Sequence, residues 1–346
     1  MKILYVDYIF QKGHVNFNRI HIDALKSEGN DVKIVTHSQI ASLLPYASSE
    51  YALLLPPFFR YREGHPFKNR MIYLLALLWI RFRVHIGGFD KVIVSYCDEI
   101  TLLLLPLCRH MYIICHGNGV GLSNGLKCFC LRWLSRHHSF IVFNDYMAEP
   151  FHEAGIGNVF VVSHGCVPPF RHEFPMDLPL DISGFSRIFF HPSSKHDETF
   201  VSDLISCSRL QKILEENNVL LVIHDKTGKV SETSHIRFVN GFLPQRQYQD
   251  LFVESDVILL AYPADFRFQV SGVSFECVAN RKRVLIQEHP SLSYCREFYN
   301  YDPMFSSMEE MCDKMEYLIS HTEAGCTVSA EGLTPDYTQI LKAQQK

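Results

Sequence analysis

The hydrophobic positions fall into short apolar runs separated by longer amphipathic stretches, and this alternation continues along most of the chain. Such a pattern is typical of a parallel sheet whose strands are joined by covering helices. One amphipathic stretch, 16–28, is followed by Gly29, and glycine is favoured just beyond the C-terminus of a helix. In the first half the predicted strands are 2–10, 31–36, 51–55, 91–95, 111–116, 139–144 and 159–163.

The alternation is interrupted near Gly165, because the following pair Pro168-Pro169 can continue neither a helix nor a central strand. We therefore predict an α/β fold of two Rossmann-like domains facing across a cleft, 1–166 and 167–330, with 331–346 as a tail or final helix. Each ligand site is expected beyond the carboxyl ends of the strands. After the interruption, the predicted strands are 187–192, 219–225, 236–241, 257–262 and 283–287, and the predicted helices are 197–217, 245–255 and 271–280.

The composition is that of a folded chain, since 47% of its 346 residues are hydrophobic and 20% are charged. Its eleven cysteines include no Cys-x-x-Cys pair and no pairing with histidine at zinc-finger spacing, so we predict no structural zinc site. The N-terminus is predicted to be a first strand and not a signal peptide. We therefore expect a cytoplasmic protein with free thiols and without a nucleic-acid partner.

Charge is distributed unevenly, because residues 1–165 contain 16 Lys and Arg against 12 Asp and Glu, and the rest contains 17 against 25. Basic and aromatic residues are mixed between Arg60 and Lys91, which suits an anionic membrane surface. The apolar stretch in this region, 71–80, is too short to span a bilayer as a helix. Two interpretations stay open for this region and for 127–138: a packed helix with solvated basic positions, or a face that docks on a membrane.

The most informative stretch is 235–286. It contains, in order, Gly241-Phe242 after a strand, Ser255-Asp256-Val257, a helix start at Ser271-Gly272-Val273, Glu276 on that helix, and a strand from Arg283. The order and spacing of these features resemble the C-terminal domain of GT-B glycosyltransferases of the large retaining family with a "glycosyl transferases group 1" type domain. The resemblance implies that the second domain binds a nucleotide-sugar donor, with Phe242 in a loop near the base, and that the acceptor lies on the first domain.

The helix start at Ser271-Gly272-Val273 also suits a diphosphate on physical grounds, because it presents free N–H groups and the positive end of the helix dipole. Gly272 permits a close approach. Glu276, one turn into the helix, is expected to accept hydrogen bonds from ribose hydroxyls. The alternative is a glutamate that only complements the helix dipole.

The sequence departs from the resembled family at Phe268. Retaining members have two glutamates eight positions apart, and Phe268 stands where the first would be. Arg267, beside it, could instead pair with phosphate oxygens in a bidentate manner. The stereochemical outcome, retaining or inverting, is therefore left open.

Ser193 and Lys195 follow the first strand of the second domain, where the resembled families supply a basic residue to the diphosphate. Lys195 would stabilise the leaving group as a point charge, and a solvated lysine before a helix is the equal alternative. No Asp-x-Asp occurs in the chain, which favours a transferase that needs neither a metal nor a cofactor. The nucleotide-sugar is then a substrate.

Two histidines of the first half are the catalytic candidates. His14 follows Gly13 at the start of the first helix, and Gly13 would let the backbone approach the donor. An imidazole can remove a proton from an acceptor hydroxyl near neutral pH, and inverting GT-B enzymes, which this segment resembles, have their base here. His116 occupies the loop where retaining members have a histidine near the donor sugar. A positioning role for His14 is the alternative.

These features predict a glycosyltransferase that transfers a sugar to a glycan or lipid-linked acceptor, in cell-surface polysaccharide synthesis. The alternatives are a degenerate GT-B assembly subunit without catalysis, a sugar-nucleotide-binding protein, an epimerase or phosphorylase of similar architecture, and a two-lobed solute receptor. The receptor would need a signal peptide, and the epimerase or phosphorylase would need additional catalytic groups that the sequence does not place.

Overall fold

A computed structural model of the chain describes residues 1–10, 14–60, 64–171, 174–193, 198–225, 233–241 and 243–343. Internal contacts divide the chain into two units. The N-terminal unit contains Met1–Gly165 together with Arg267–Val270 and Leu333–Lys346, and the C-terminal unit contains Cys166–Phe266 and Ser271–Gly332.

Parallel strands form the sheet of the N-terminal unit, in the order β3-β2-β1-β4-β5-β6-β7. Strands β4, β5 and β6 are buried along their whole length, as expected for parallel strands that are covered on both faces. The direction of the strand order reverses between β1 and β4, which is where a doubly wound sheet binds its ligand. The strands are β1 Lys2–Val6, β2 Asp31–His37, β3 Tyr51–Leu55, β4 Lys91–Val94, β5 Tyr112–Ile114, β6 Ser139–Val142 and β7 Val159–Val161.

Helices join these strands and bury one face each against the sheet. Side chains cap several of them, as Asn144 does by accepting a hydrogen bond from the Met147 N–H. The helices are α1 His14–Ser27, α2 Ser38–Ala41, α3 Pro66–Arg83, α4 Glu99–Leu104, α5 Gly125–Leu134 and α6 Asp145–Glu153, with 3₁₀ turns at Ser48–Glu50, Pro57–Phe59, Ile86–Gly88 and Asn118–Ser123.

The C-terminal unit has a second parallel sheet, in the order β10-β9-β8-β11-β12-β13. Its core is built from strand residues such as Phe189 and Leu221 and from helix residues such as Leu214. Its elements are β8 Arg187–His191, α7 Glu198–Ser206, α8 Ser208–Glu216, β9 Val219–Asp225, β10 Ile236–Asn240, α9 Gln245–Glu254, β11 Val257–Leu260, α10 Gly272–Ala279, β12 Arg283–Gln287, a 3₁₀ segment Pro290–Phe298, β13 Met304–Phe305, α11 Met308–Ser320 and a 3₁₀ turn Glu331–Leu333.

The last segment of the chain, which includes α12 Thr338–Lys342, packs within the N-terminal unit. Tyr337 is buried there, and its hydroxyl lies 2.7 Å from Nδ1 of His21. Gly165 has φ 79°, and a Cβ added to it would lie 2.4 Å from Cγ2 of Ile20 and 2.8 Å from Cδ of Pro335. This position therefore requires glycine both for its left-handed backbone and for the space.

The predicted fold of two Rossmann-like α/β domains is confirmed, and the predicted strands 51–55, 219–225 and 283–287 have their observed bounds. The strand predicted at 2–10 ends at Val6, because the apolar residues that follow form a buried loop, which periodicity does not distinguish from a strand. The helix predicted at 197–217 is divided at Cys207, whose extended backbone begins α8. Among the described residues, no helix is both long enough and apolar enough to cross a bilayer.

Candidate functional site

Two predicted catalytic residues meet at the carboxyl edge of the N-terminal sheet. His14 is the first residue of α1, after β1, and His116 follows β5. Their rings stack, with centroids 4.7 Å apart and planes 17° from parallel. Tyr96, after β4, lies edge-on to both rings, at 5.2 Å from His14 and 5.3 Å from His116. The two separate candidates of the sequence are therefore neighbours in one site.

Two further histidines surround the same aromatic ring, that of Phe17 on α1. The Phe17 centroid lies 4.4 Å from that of His116, 4.1 Å from His21 and 5.3 Å from His164. We refer to His14, His21, His116 and His164 as the histidine cluster. Among the described residues, no group of three or more His, Cys, Asp or Glu side chains has an arrangement that could hold a metal ion.

Hydrogen bonds fix the protonation of one stacked ring. Nε2 of His116 lies 2.9 Å from the carbonyl oxygen of Ser95, and a carbonyl only accepts, so Nε2 donates its proton. In the neutral ring, Nδ1 of His116 is then a proton acceptor. Nδ1 of His14 is buried and has no hydrogen-bond partner among the described residues.

Burial lowers the pKa of each histidine in the cluster. The pKa of His14 falls to about 4, through burial first and then through the like charge of His164. Burial likewise lowers the pKa of His164 to about 4. The pKa values of His21 and His116 lie well below the ordinary value for the same main reason. All four rings are neutral at pH 7, as a proton-accepting base requires, although a pKa near 4 makes His14 a weak base.

Asp7, directly after β1, is a buried acid that the sequence did not single out. Nδ2 of Asn18 donates to its Oδ2 at 2.6 Å, and the Tyr5 hydroxyl donates to Oδ1 of Asn18 at 3.1 Å. Burial raises the pKa of Asp7 to about 7, and the bond from Asn18 offsets part of this rise. Its place inside the predicted strand 2–10 concealed it. Asp7 could have been predicted as a site residue because its carboxylate lies near the carboxyl end of the first strand.

The segment Arg267–Val270 packs within the N-terminal unit. Phe268 has a left-handed backbone, with φ 51°, and its ring stacks on Tyr146 with centroids 5.0 Å apart. A Cβ added at Gly119 would lie only 3.0 Å from Cβ of Phe268. Phe268 is therefore a packing residue where the resembled family has a glutamate. Arg267 is exposed and makes no hydrogen bond or ion pair with a described residue.

In the C-terminal unit, Ser271 caps α10 at the carboxyl edge of the sheet. Its Oγ accepts from the Ser274 N–H and lies 2.6 Å from the Tyr262 hydroxyl. Its own N–H donates to the Tyr294 hydroxyl at 3.2 Å. The N–H groups of Gly272 and Val273 have no acceptor among the described residues. These two donors remain for an anion at the helix N-terminus.

Glu276, in the second turn of this short helix, is paired with Tyr248 on α9. The Tyr248 hydroxyl donates to Oε2 of Glu276 at 2.5 Å. Burial raises the pKa of Glu276 to about 7, and the hydrogen bond from Tyr248 offsets part of the rise. Oε1 of Glu276 accepts no hydrogen bond from a described residue and is available to other donors. Tyr248 was not predicted as a site residue, because a contact between two different helices leaves no periodic signal in the sequence.

His224, the penultimate residue of β9, connects the loops that follow its two neighbouring strands. Its Nδ1 lies 3.1 Å from the Pro192 carbonyl oxygen after β8, and its Nε2 lies 2.8 Å from the Gly241 carbonyl oxygen after β10. Ser193, a predicted donor-binding residue, follows Pro192 and is half-buried. The other predicted donor-binding residues Gly13, Lys195 and Phe242 lie outside the described residues.

No protein-family model matches the sequence, and no curated protein matches it. Solved structures do match the fold. HepE from Anabaena, in complex with UDP and glucose, is 10% identical over 93% of this chain and 91% of its own, with a TM-score of 0.58. The E. coli trehalose-6-phosphate structure bound with UDP-2-fluoro glucose is 11% identical over 96% and 93%, with a TM-score of 0.61.

A structure from Listeria monocytogenes named as a UDP-N-acetylglucosamine 2-epimerase is also similar, at 10% identity over 93% of this chain and 88% of that chain, with a TM-score of 0.61. In all three comparisons the similarity extends over both parallel sheets. At these identities the likeness concerns the fold. The chain therefore has the GT-B fold, as its sequence motifs predicted.

Proposed function

We propose that the protein transfers a sugar from a nucleotide-sugar donor to a hydroxyl of a glycan or lipid-linked acceptor, in the synthesis of a cell-surface polysaccharide. The α10 region carries this proposal. The N–H groups of Gly272 and Val273, which have no acceptor in the described part of the chain, and a carboxylate held by Tyr248 lie at one helix of a GT-B fold. Two structural neighbours contain UDP or a UDP-sugar analogue, which supports a nucleotide-sugar as the donor.

Each part of the site has a role in this proposal. The N–H groups at the start of α10 bind the diphosphate, and Glu276 accepts hydrogen bonds from the ribose hydroxyls. Arg267, Ser193 and Lys195 add polar and positive groups for the phosphates. Phe242 would contact the base. Neither a metal nor a cofactor is proposed.

The reaction breaks the bond between the anomeric carbon and the diphosphate oxygen, and forms a bond from that carbon to the acceptor oxygen. The acceptor hydroxyl loses its proton, and the nucleoside diphosphate leaves. In an inverting enzyme His14 takes the proton, and in a retaining enzyme His116 lies beside the donor sugar while donor phosphate assists. Because Phe268 replaces a glutamate of retaining enzymes, we leave both stereochemical outcomes in the proposal.

Incubation of the purified protein with a panel of nucleotide-sugars, followed by measurement of released nucleotide, tests this function. We expect release from at least one donor, faster with a suitable acceptor, and a lower rate in Glu276→Ala. Tight binding of a nucleotide-sugar without release of nucleotide would favour a second function. The protein would then be a sugar-nucleotide-binding protein or an assembly subunit without catalysis. The weak basicity of His14 and the phenylalanine at 268 favour that second function. Isomerised donor without transfer would instead indicate an epimerase.

The cellular location is a separate part of the proposal. We place the protein in the cytoplasm, at the inner face of a membrane, because a lipid-linked acceptor would be found there. Attachment to that membrane depends on the surface of the N-terminal unit and not on the donor site.

A further inference from the structure

Helix α3 is apolar on two faces. One face, which includes Tyr73, Leu77 and Ile80, is buried in the core of the N-terminal unit. The other face is exposed, and its apolar residues recur at intervals of three and four positions, which places them on one stripe. The stripe consists of Phe67, Met71, Leu75, Leu78 and Phe82, and its end residues are 75% and 79% exposed. A packed surface helix would have polar residues there.

Helix α5 has a second exposed apolar stripe, Leu126, Phe129 and Trp133. Its Phe129 and Trp133 rings lie 5.9 Å apart. Helix α4 packs against both α3 and α5 and adds the exposed Leu104. We call the exposed residues of α3, α4 and α5 the apolar face. Large exposed apolar patches mark interaction sites in soluble proteins.

Both tryptophans of the chain lie on this face, and each has an arginine over its ring. Cζ of Arg83 lies 5.3 Å from the centroid of Trp79, and Cζ of Arg136 lies 4.1 Å from that of Trp133. The tryptophan side chains are 37% and 44% exposed. Tryptophan beside arginine is the combination that proteins place at the headgroup level of a bilayer.

The charge on this face has one sign. Neither α3 nor α5 contains an Asp or Glu. Helix α3 contains four basic residues, Lys68, Arg70, Arg81 and Arg83. Arg70 pairs with Asp98, but Arg81 and Arg83 make no ion pair with any described carboxylate. Two copies of the chain related by a twofold axis would bring the same positive charges together. An anionic partner fits this face better.

We propose that the apolar face docks on an anionic lipid bilayer, with the stripe of α3 and that of α5 buried in the headgroup region and the arginines at the lipid phosphates. Docking of this type needs no spanning helix. The docking proposal does not depend on the transfer chemistry. An experiment can therefore refute it without refuting the proposed donor site. For the proposed transferase it would hold a lipid-linked acceptor within reach.

Sedimentation of the full chain with lipid vesicles tests this proposal. We expect binding to vesicles of phosphatidylglycerol and phosphatidylcholine in equal parts, weak binding to phosphatidylcholine alone, and weaker anionic binding as salt increases. Arg81→Gln with Arg83→Gln should reduce the affinity for anionic vesicles by about fivefold for each charge removed.

The decisive variant is Leu75→Glu with Phe82→Glu, which places charge on the exposed stripe and should lower vesicle affinity by about tenfold or more. Val161→Glu, at an exposed position on β7, is the matched control and should bind like wild type. Equal binding by the double variant, or no preference for anionic vesicles, would overturn the proposal. So would a wild-type dimer in solution that the double variant dissociates, because the face would then join two copies.

Discussion

The imidazole rings of His14 and His116 stack 4.7 Å apart, although they follow different strands of the sheet. If the pair assists proton transfer, His14→Ala should lower kcat for nucleotide release by about 10²- to 10⁴-fold. The double variant with His116→Ala should lose no more than the stronger single variant, because residues in contact act as a unit. His152→Ala, exposed on α6, is the control. A wild-type rate in His14→Ala would contradict a catalytic role.

Both histidines could be predicted from the sequence, but their contact could not. Each histidine follows a predicted strand and was therefore expected at the carboxyl edge of the sheet. The strands themselves were predicted from the alternation of apolar runs and amphipathic stretches. The contact depends on how β1 and β5 are arranged in the sheet, which a single sequence does not specify. Phe17 and His164, which complete the surroundings, had no chemical pattern to reveal them.

The fold was predictable to the extent that apolar runs and capping residues determine it. Strand β9 is buried at every position except the half-buried His224, and its bounds were predicted correctly. Strand β13 has two residues and no recognisable period, and it was missed. The pairing of Tyr248 with Glu276 could not be predicted, because it joins two helices through tertiary packing.

The low pKa of His14 predicts that acid destabilises the protein. The folded pKa is about 4 and the unfolded pKa is about 6.5, so the stabilisation is complete above pH 6.5 and is lost as pH falls toward 4. At pH 5 this loss is about 2 kcal/mol for His14 alone. Thermal unfolding of His14→Gln should therefore depend less on pH between 7.5 and 5 than that of wild type. His152→Gln should keep the wild-type dependence, and equal slopes in all three proteins would refute the burial effect.

The raised pKa of Glu276 predicts pH-dependent donor binding. Ribose hydroxyls donate to the ionised carboxylate, so a bound nucleotide lowers its pKa from about 7. The affinity for the donor should be highest above pH 7. Below pH 7 it should fall by about tenfold per pH unit, until the pH reaches the lowered pKa of Glu276 in the bound state. A nucleotide-sugar is the suitable probe, because its diphosphate does not titrate in this range.

Glu276→Gln provides the comparison for that titration. The variant should bind more weakly at pH 8 and show no dependence on pH between 5.5 and 8. Calorimetric titration at several pH values measures both quantities. A pH dependence that is identical in wild type and variant would assign the titration to another group.

Replacement of Gly165 by alanine should destabilise the protein. A Cβ at this position would overlap Ile20 and Pro335, and the backbone has φ 79°. We expect Gly165→Ala to lower the free energy of unfolding of the N-terminal unit by about 2–4 kcal/mol. Gly155 is a matched control, because its φ is 76° but a Cβ there meets open space. Gly155→Ala should cost only about 1 kcal/mol, which is the backbone term, and equal costs for the two variants would exclude the steric explanation.

Binding of a nucleoside diphosphate to the α10 region is the test of the proposed donor site. Calorimetric titration of UDP, GDP, ADP, CDP and TDP into the wild-type protein should give binding for at least one of them. Glu276→Ala should weaken that binding by tenfold or more, about 1.4 kcal/mol, while Glu216→Ala, exposed on α8, should leave it unchanged. Absence of binding for all five nucleotides, or wild-type affinity in Glu276→Ala, would contradict a nucleotide-sugar site at this helix.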